Sequence, residues 1–209
     1  MLSGSRAPPA DYGGWMLDVI RQLDHAVGEG VQSLRTPILD DVFKQLSELG
    51  WLNLVVLIAA LGLSIRWRTF RPFPTVLAAI LVTSRATAAL KDGFDRLRPP
   101  LDDHAIRAIV PLPHNPSFPS GHASGAFALA VSFGLLVPRV RIPALVLAAL
   151  IGLSRIWLGV HYLSDVIAGA LLGTAVALAA HYLSLGLASM PRRASRGRSA
   201  PPPRPAAPR

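Results

Sequence analysis

Cysteine is absent from this chain of 209 residues, and charged residues are scarce. The absence of thiols excludes disulfide bonds, cysteine nucleophiles and cysteine-ligated zinc sites. Asp, Glu, Lys and Arg together make up 16% of the residues, whereas soluble domains carry about 25%. Hydrophobic residues make up 51% and the mean hydropathy is +0.42. The composition therefore points to a membrane protein with one domain.

Acidic residues are missing from residues 190–209, where six arginines and several prolines occur. A basic tail of this kind can bind nucleic acid, but arginines that follow an apolar segment more often mark its cytoplasmic end. We therefore expect a cytoplasmic tail and no nucleic-acid partner. The Pro, Arg and Ala content predicts disorder for this tail, and the small, polar residues 1–14 are predicted to be disordered as well.

An apolar run long enough to span a membrane is also missing from residues 15–49. Apolar and charged residues alternate in this region with helical spacing. Pro37 is well suited to the first turn of a second helix. The pattern predicts amphipathic helices that lie at the membrane interface rather than across the bilayer.

Five apolar segments follow within residues 50–189, which we interpret as one transmembrane domain. Several are shorter than the ~20 residues usual for a spanning helix, but their succession in such an apolar chain favours a bundle. The predicted fold is all-α, a multi-span transmembrane helix bundle with about five spanning helices. The segments are Trp51–Ile65, Phe73–Leu90, His122–Val137, Ile142–Val160 and Asp165–Leu187.

Arginines are concentrated in the connections on one side of this predicted bundle. They lie between the first and second segments, between the third and fourth, and in the tail. The positive-inside rule places these regions in the cytoplasm. We therefore predict a multi-pass protein of the plasma (inner) membrane, with the long connection 91–121 facing the outside.

Charged and polar residues cluster at the segment ends that are predicted to face outside. Such groups are costly in a membrane protein unless they serve a function. Lys91, Arg98 and Arg155 are cations without adequate acidic neighbours in the sequence, and these side chains suit phosphate oxygens. Ser120 and Gly121 lie at a predicted helix start, where free backbone amides favour an anion. Together they form a predicted phosphate-binding set.

Two histidines supply the predicted chemistry. His161 and Asp165 are four residues apart and can share a helical face. A carboxylate in that position fixes the imidazole tautomer and supports its positive charge. His161 is therefore the predicted nucleophile, Asp165 its orienting carboxylate and His122 the general acid for the departing oxygen. No metal-ligand cluster accompanies them in the sequence, so we expect neither a metal nor a cofactor.

These residues form three motifs along the chain. The motifs are Lys91-x6-Arg98-Pro99, Pro119-Ser120-Gly121-His122 and Ser154-Arg155-x5-His161-x3-Asp165. The set resembles the three-part signature of the type-2 phosphatidic acid phosphatase (PAP2) superfamily. This resemblance implies a helical bundle and metal-independent dephosphorylation through a phosphohistidine, with the same roles for the residues as above. Bacterial membrane members of that family often have six spans, one more than the five segments found here.

Three other functions are weaker interpretations of the same residues. A vanadate-dependent haloperoxidase resembles the family at these positions, but such enzymes are mostly larger and soluble. A non-catalytic lipid-binding protein would be expected to have lost motif residues, and a transporter would show paired broken helices. The candidate substrates are polyprenyl diphosphate, phosphatidic acid, phosphatidylglycerol phosphate and a prenyl-linked sugar phosphate. An external site fits polyprenyl diphosphate best.

Overall fold

The computed structural model describes residues 12–48, 52–69 and 71–189, and its regular structure within these ranges is entirely helical. The predicted all-α fold is therefore confirmed. A 3₁₀ turn at Pro138–Val140 precedes the seventh helix. The helices are α1 (Tyr12–Ser33), α2 (Pro37–Ser47), α3 (Leu52–Arg66), α4 (Pro72–Phe94), α5 (Pro99–Asp102), α6 (Gly121–Leu136), α7 (Arg141–Trp157) and α8 (Leu163–Ser189).

Three helical stretches in the described ranges are long and apolar enough to cross a membrane, namely Pro72–Asp102, Pro138–Trp157 and Leu163–Ser189. The other two predicted spans correspond to shorter helices, because α3 has 15 residues and α6 has 16. A helix of that length measures about 24 Å, less than the ~30 Å hydrocarbon core of a typical bilayer. The structure thus supports a transmembrane bundle whose individual helices differ in length.

Helix α6 is at the centre of this bundle and packs against α4, α7 and α8. Its close approach to α8 depends on two glycines of α8. A Cβ atom at Gly169 would lie 2.5 Å from the carbonyl oxygen of Ser120, and a Cβ atom at Gly173 would overlap the carbonyl oxygen of Ser124. Small residues allow such contacts between helices in lipid. They bring the starts of α6 and α8, which carry two of the three motifs, side by side.

Local sequence explains how the helices begin and turn at the motif-bearing end. The hydroxyl of Ser120 caps α6 by accepting a hydrogen bond from the Ala123 amide at 3.5 Å. After α7, Gly159 has a φ of +72°, and a Cβ there would lie 2.5 Å from the Arg107 carbonyl oxygen. Glycine is the residue that tolerates both constraints. The resulting turn places His161 directly before α8.

Helices α1 and α2 lie against the end of the bundle that carries the motifs. α1 contacts α7 and α8, and α2 contacts α7. Both helices are amphipathic, as predicted. The side that faces the protein carries buried polar residues, since Asp24 is 2% exposed and Ser47 is 6% exposed. Large apolar side chains of α1, including Trp15 and Leu23, are more than half exposed. That this apolar side lies in the membrane interface remains a prediction.

The boundaries of the predicted regions differ slightly from those of the structure. Helix α1 begins at Tyr12, inside the region 1–14 for which disorder was predicted. The predicted disorder of residues 1–11 and 190–209 lies outside the described residues, as does the predicted domain boundary at 49–50.

Candidate active site

The three motifs meet at one end of the bundle. Lys91 is in the last turns of α4, Arg98 directly precedes α5, Arg155 is near the end of α7, and Asp165 is in the first turn of α8. Each of these side chains is buried, as is His161 in the turn between α7 and α8. Residues that are far apart in the sequence therefore form one buried and highly charged cluster.

Carbonyl groups of the segment before α6 hold two of the cations. Lys91 Nζ donates to the carbonyl oxygen of Pro116. Arg98 Nε donates to the carbonyl oxygen of Asn115 at 2.9 Å, and Arg98 Nη2 donates to Oδ1 of the same residue at 2.7 Å. Arg98 Nη1 donates to the carbonyl oxygen of Val160 at 2.8 Å. Because these acceptors carry no formal charge, they position the cations without neutralising them.

Arg155 is the third cation of this cluster. Its Nη1 donates to the hydroxyl of Ser47 in α2, whereas its buried Nε has no hydrogen-bond partner among the described residues. Within the same ranges, no carboxylate lies at ion-pair distance from Lys91, Arg98 or Arg155. Buried charges and buried N–H groups are costly when they lack partners. The cluster is therefore suited to an anion with several oxygen atoms.

His161 lies beside these cations and is oriented by Asp165. Its Nδ1 lies 3.3 Å from Oδ2 of Asp165, which also accepts the Tyr162 amide at 2.9 Å. A carboxylate is only an acceptor, so this contact assigns the proton to Nδ1. Nε2 then carries the lone pair, and it lies 3.3 Å from Arg98 Nη1. This second nitrogen thus faces a group that can hold a phosphate oxygen.

The protonation state of His161 is consistent with attack on an electrophile. Burial lowers the pKa of His161 to about 4, although Asp165 raises it, and the positive charges of Arg98 and Arg155 lower it further. The imidazole is therefore uncharged at neutral pH and its lone pair is available. A positive charge formed there during a reaction would rely on Asp165 for stabilisation.

The Pro-Ser-Gly-His motif contributes the remaining predicted residues. His122, the second residue of α6, has an exposed side chain that makes no hydrogen bond within the described ranges. It is near enough to Arg155, Arg98 and Lys91 to interact with their charges. Ser120 is fully buried and its hydroxyl caps α6. The phosphate-binding roles of Ser120 and Gly121 and the acid role of His122 stay predictions.

Sequence reasoning missed several polar residues that complete this cluster. Arg96 donates to Asp165 and to Asp24, Asn115 accepts from Arg98, and Ser47 accepts from Arg155. Asp24 and Ser47 belong to helices that were interpreted only as interfacial. Their partners lie more than 70 positions away in the sequence. The nearest available signal was the position of Arg96, two residues before a motif arginine.

Comparison with known proteins relates this geometry to a family. The model of the PAP2 superfamily matches residues 73–187. The lipid A 1-phosphatase of Rhizobium etli is 34% identical over 118 residues, which cover 54% of this chain and 49% of that protein. The present chain thus spans about half the length of this relative.

Two solved structures have a similar fold. One is the crystal structure of a transmembrane PAP2 type phosphatidylglycerolphosphate phosphatase from Bacillus subtilis, with a TM-score of 0.68 and 24% identity, covering 81% of this chain and 88% of that chain. The other is the crystal structure of Aquifex aeolicus LpxE, with a TM-score of 0.63 and 29% identity, covering 79% of this chain and 94% of that chain. These likenesses and the long apolar helices establish a helical membrane protein. Since the family model covers more than half of the chain and contains all three motifs, the protein belongs to the PAP2 superfamily.

Proposed function

We propose that this protein hydrolyses a phosphate monoester or diphosphate of a membrane lipid through a phosphohistidine formed on His161. One observation carries the proposal. Nε2 of His161 faces the guanidinium of Arg98 while Nδ1 faces the carboxylate of Asp165, inside a buried cluster of cations. This arrangement supports the proposal, because a histidine nucleophile needs an orienting group on one nitrogen and a phosphate-binding group beside the other.

In the first step, the phosphate occupies the space between Lys91, Arg98 and Arg155. Arginine donors match phosphate oxygens in pairs, and the unpartnered Nε of Arg155 is one such donor. Nε2 of His161 forms a bond to phosphorus, and the bond from phosphorus to the lipid oxygen breaks. His122, which the negative charge of the bound phosphate favours in its protonated form, donates that proton to the departing oxygen.

In the second step, water attacks the phosphohistidine. His122, now deprotonated, removes a proton from that water, the bond between phosphorus and Nε2 breaks, and inorganic phosphate leaves. Asp165 stabilises the positive imidazole ring while the phosphoryl group is attached. The three cations stabilise the charge that develops on the phosphoryl oxygens, a task that a metal ion performs in many other phosphatases.

The two ends of the bundle favour an external active site. The motif residues lie where α4 and α7 end and where α6 and α8 begin. The arginines of the α3–α4 and α6–α7 connections lie at the opposite helix ends, which the positive-inside rule places in the cytoplasm. An external site with a cytoplasmic carboxyl-terminal tail in the inner membrane is the topology we propose.

Lipid phosphates are the substrate class that the relatives favour. Those named above include a lipid A 1-phosphatase and a phosphatidylglycerolphosphate phosphatase. Polyprenyl diphosphate, phosphatidic acid, phosphatidylglycerol phosphate and a prenyl-linked sugar phosphate remain the candidates, and the proposed external site fits polyprenyl diphosphate best. The alternatives of a non-catalytic lipid-binding protein and a haloperoxidase are less well supported, because the named relatives are phosphatases.

The decisive experiment is a phosphate-release assay of the purified protein in detergent against a panel of these lipids. We expect hydrolysis of at least one lipid phosphate, activity that persists in EDTA, and inhibition by vanadate, which imitates five-coordinate phosphorus. His161→Ala serves as the inactive control. The proposal would be contradicted if none of the lipids released phosphate, or if hydrolysis required added magnesium.

A further inference from the structure

Arg96 differs from the other cations of the active site because carboxylates surround it. Its Nη1 donates to Oδ1 of Asp165 at 2.8 Å and to the hydroxyl of Ser164 at 2.6 Å. Its Nη2 donates to Oδ2 of Asp24 at 2.8 Å. Its guanidinium also lies over the ring of Tyr162, 4.3 Å from the centroid. Arg96 is thus committed to protein partners and has little capacity left to bind a substrate.

Asp24 is the far end of this network, and it comes from α1. Its Oδ1 accepts the Ser164 amide at 2.8 Å, and its Oδ2 accepts the Ser164 hydroxyl at 2.6 Å in addition to Arg96. The Asp24 side chain is 2% exposed and that of Asp165 is fully buried. One guanidinium and one serine therefore fasten α1 to the first turn of α8, directly beside the nucleophile.

We propose that Asp24 and Arg96 are positioning residues for the nucleophile, and that α1 is therefore a working part of the active site. This proposal rests on the proposed function of His161. Arg96 holds Oδ1 of Asp165 so that Oδ2 stays in line with Nδ1 of His161. Asp24 in turn holds Arg96 in this orientation. Asp24 lies outside residues 73–187, the region that the family model matches.

The charges of this network explain why two carboxylates are present rather than one. A single guanidinium paired with Asp165 alone would cancel the negative charge that the attacking imidazole needs. With Asp24 included, two carboxylates share one guanidinium, and a net negative charge remains beside His161. The imidazole gains positive charge when Nε2 bonds to phosphorus, so the network stabilises the covalent intermediate more than the free enzyme.

The first test removes the charge of Asp24 with little change in size. Asp24→Asn should lower kcat by about 10- to 100-fold, the range expected when a reacting group is slightly misplaced, and should leave KM within about twofold. Asp24→Glu, which keeps the charge, should retain more activity than Asp24→Asn. The matched control is Asp18→Asn, a change of an exposed acid on the same helix, which should behave as the wild type.

The second test uses chemical rescue. Arg96→Ala should lose activity, and millimolar guanidinium ion should restore part of its kcat by occupying the space of the missing side chain. The Arg96→Lys variant should also lack activity, because the ammonium group of lysine cannot contact both carboxylates as the forked guanidinium of arginine does. Arg21→Ala, at an exposed arginine of α1, controls for direct effects of guanidinium on the protein.

The third test reads the nucleophile without relying on turnover. In ¹⁵N spectra of histidine-labelled protein, His161 should be a single Nδ1–H tautomer in the wild type and a mixture in Asp24→Asn. This measurement tests whether Asp24 positions His161 even if the wild type hydrolyses none of the lipids. Absence of hydrolysis would contradict only the proposed function. If both Asp24→Asn and Arg96→Ala keep the kcat and the His161 tautomer of the wild type, the inference is overturned. An activity loss with an unchanged tautomer and no rescue by guanidinium would overturn it too, since it would indicate general destabilisation.

Discussion

At the scale of single residues, the two motif histidines differ in burial and in their partners. His161 is 4% exposed and has a carboxylate on one nitrogen and an arginine on the other. His122 is exposed, and its side chain makes no hydrogen bond among the described residues. A nucleophile benefits from a fixed position, whereas a general acid must reach an oxygen that arrives with the lipid. The surroundings thus agree with the roles proposed for the two residues.

This difference predicts how two substitutions should affect covalent labelling. His161→Ala should abolish incorporation of phosphate into the protein, because it removes Nε2, the nitrogen beside Arg98 that we propose to attack phosphorus. His122→Ala should still form the phosphohistidine, with turnover slowed by about 10²–10⁴-fold, the usual contribution of general acid–base catalysis. Rapid-quench trapping of protein incubated with ³²P-labelled substrate measures both effects.

A nitrophenyl phosphate ester provides the control for this experiment. Its leaving group needs little protonation, so it should partly rescue His122→Ala and should not rescue His161→Ala. Label that persists in His161→Ala and vanishes in His122→Ala would mean that the two roles are exchanged. If the wild type is never labelled, direct attack by water becomes the better account.

The motif residues could be identified from the sequence because each has a chemistry that a membrane segment rarely tolerates without a function. Lys91, Arg98 and His161 are examples, and the structure brings them together. Asp24 and Arg96 could not be identified in this way. A charged residue in an amphipathic helix is normally solvated, and only the folded chain shows that Asp24 is buried against α8. Ser47 was missed for the same reason.

At the scale of helices, the contact between α6 and α8 positions the site. The predicted segments coincide closely with these helices, because hydropathy determines where a chain can lie in lipid. Hydropathy contains no information on how closely two helices approach. That distance depends on Gly169 and Gly173, whose missing side chains leave space for the backbone of α6.

Substitution of Gly173 should therefore separate the two helices. Gly173→Ala places a Cβ against the carbonyl of Ser124, and overpacking of this kind typically costs about 1–3 kcal/mol. We expect a lower melting temperature in detergent and a reduced kcat, because the starts of α6 and α8 carry His122 and Asp165. Thermal unfolding and phosphate release measure the two effects.

The same helix offers a matched control for this substitution. A Cβ at Gly186 would meet no atom within 4 Å. Gly186→Ala should leave activity unchanged and raise helix stability slightly, since alanine is favoured over glycine by about 1 kcal/mol within a helix. Equal behaviour of the two variants would contradict the importance of the close contact at Gly173.

At the scale of the whole molecule, charge is distributed unevenly between the two ends of the bundle. One end carries the motif residues together with α1 and α2, and the other carries the arginine-bearing connections. The composition and the positions of the arginines were sufficient to predict this polarity. They were not sufficient to predict that α1 and α2 dock onto the site, because amphipathic periodicity does not identify what a helix packs against.

The polarity predicts which engineered cysteines an impermeant reagent can reach. Because the natural chain contains no cysteine, single substitutions give an assay without background. His114→Cys, in the exposed connection before α6, should be labelled in intact cells, and Ser195→Cys in the tail should be labelled only after lysis. Ser117 lies in the same connection but is fully buried and is unsuitable. The reverse labelling pattern would place the active site in the cytoplasm.

The docking of α1 and α2 has a consequence for biosynthesis. Ser164 follows its partner Asp24 by 140 positions, and Arg155 follows Ser47 by 108. Chains are made from the amino terminus, so α1 and α2 leave the ribosome long before α7 and α8 exist. Asp24 and Ser47 cannot contact these partners until α7 and α8 have been made. Assembly of the site therefore follows insertion of α8, and a ribosome that stops within α8 should leave a membrane-inserted but inactive protein.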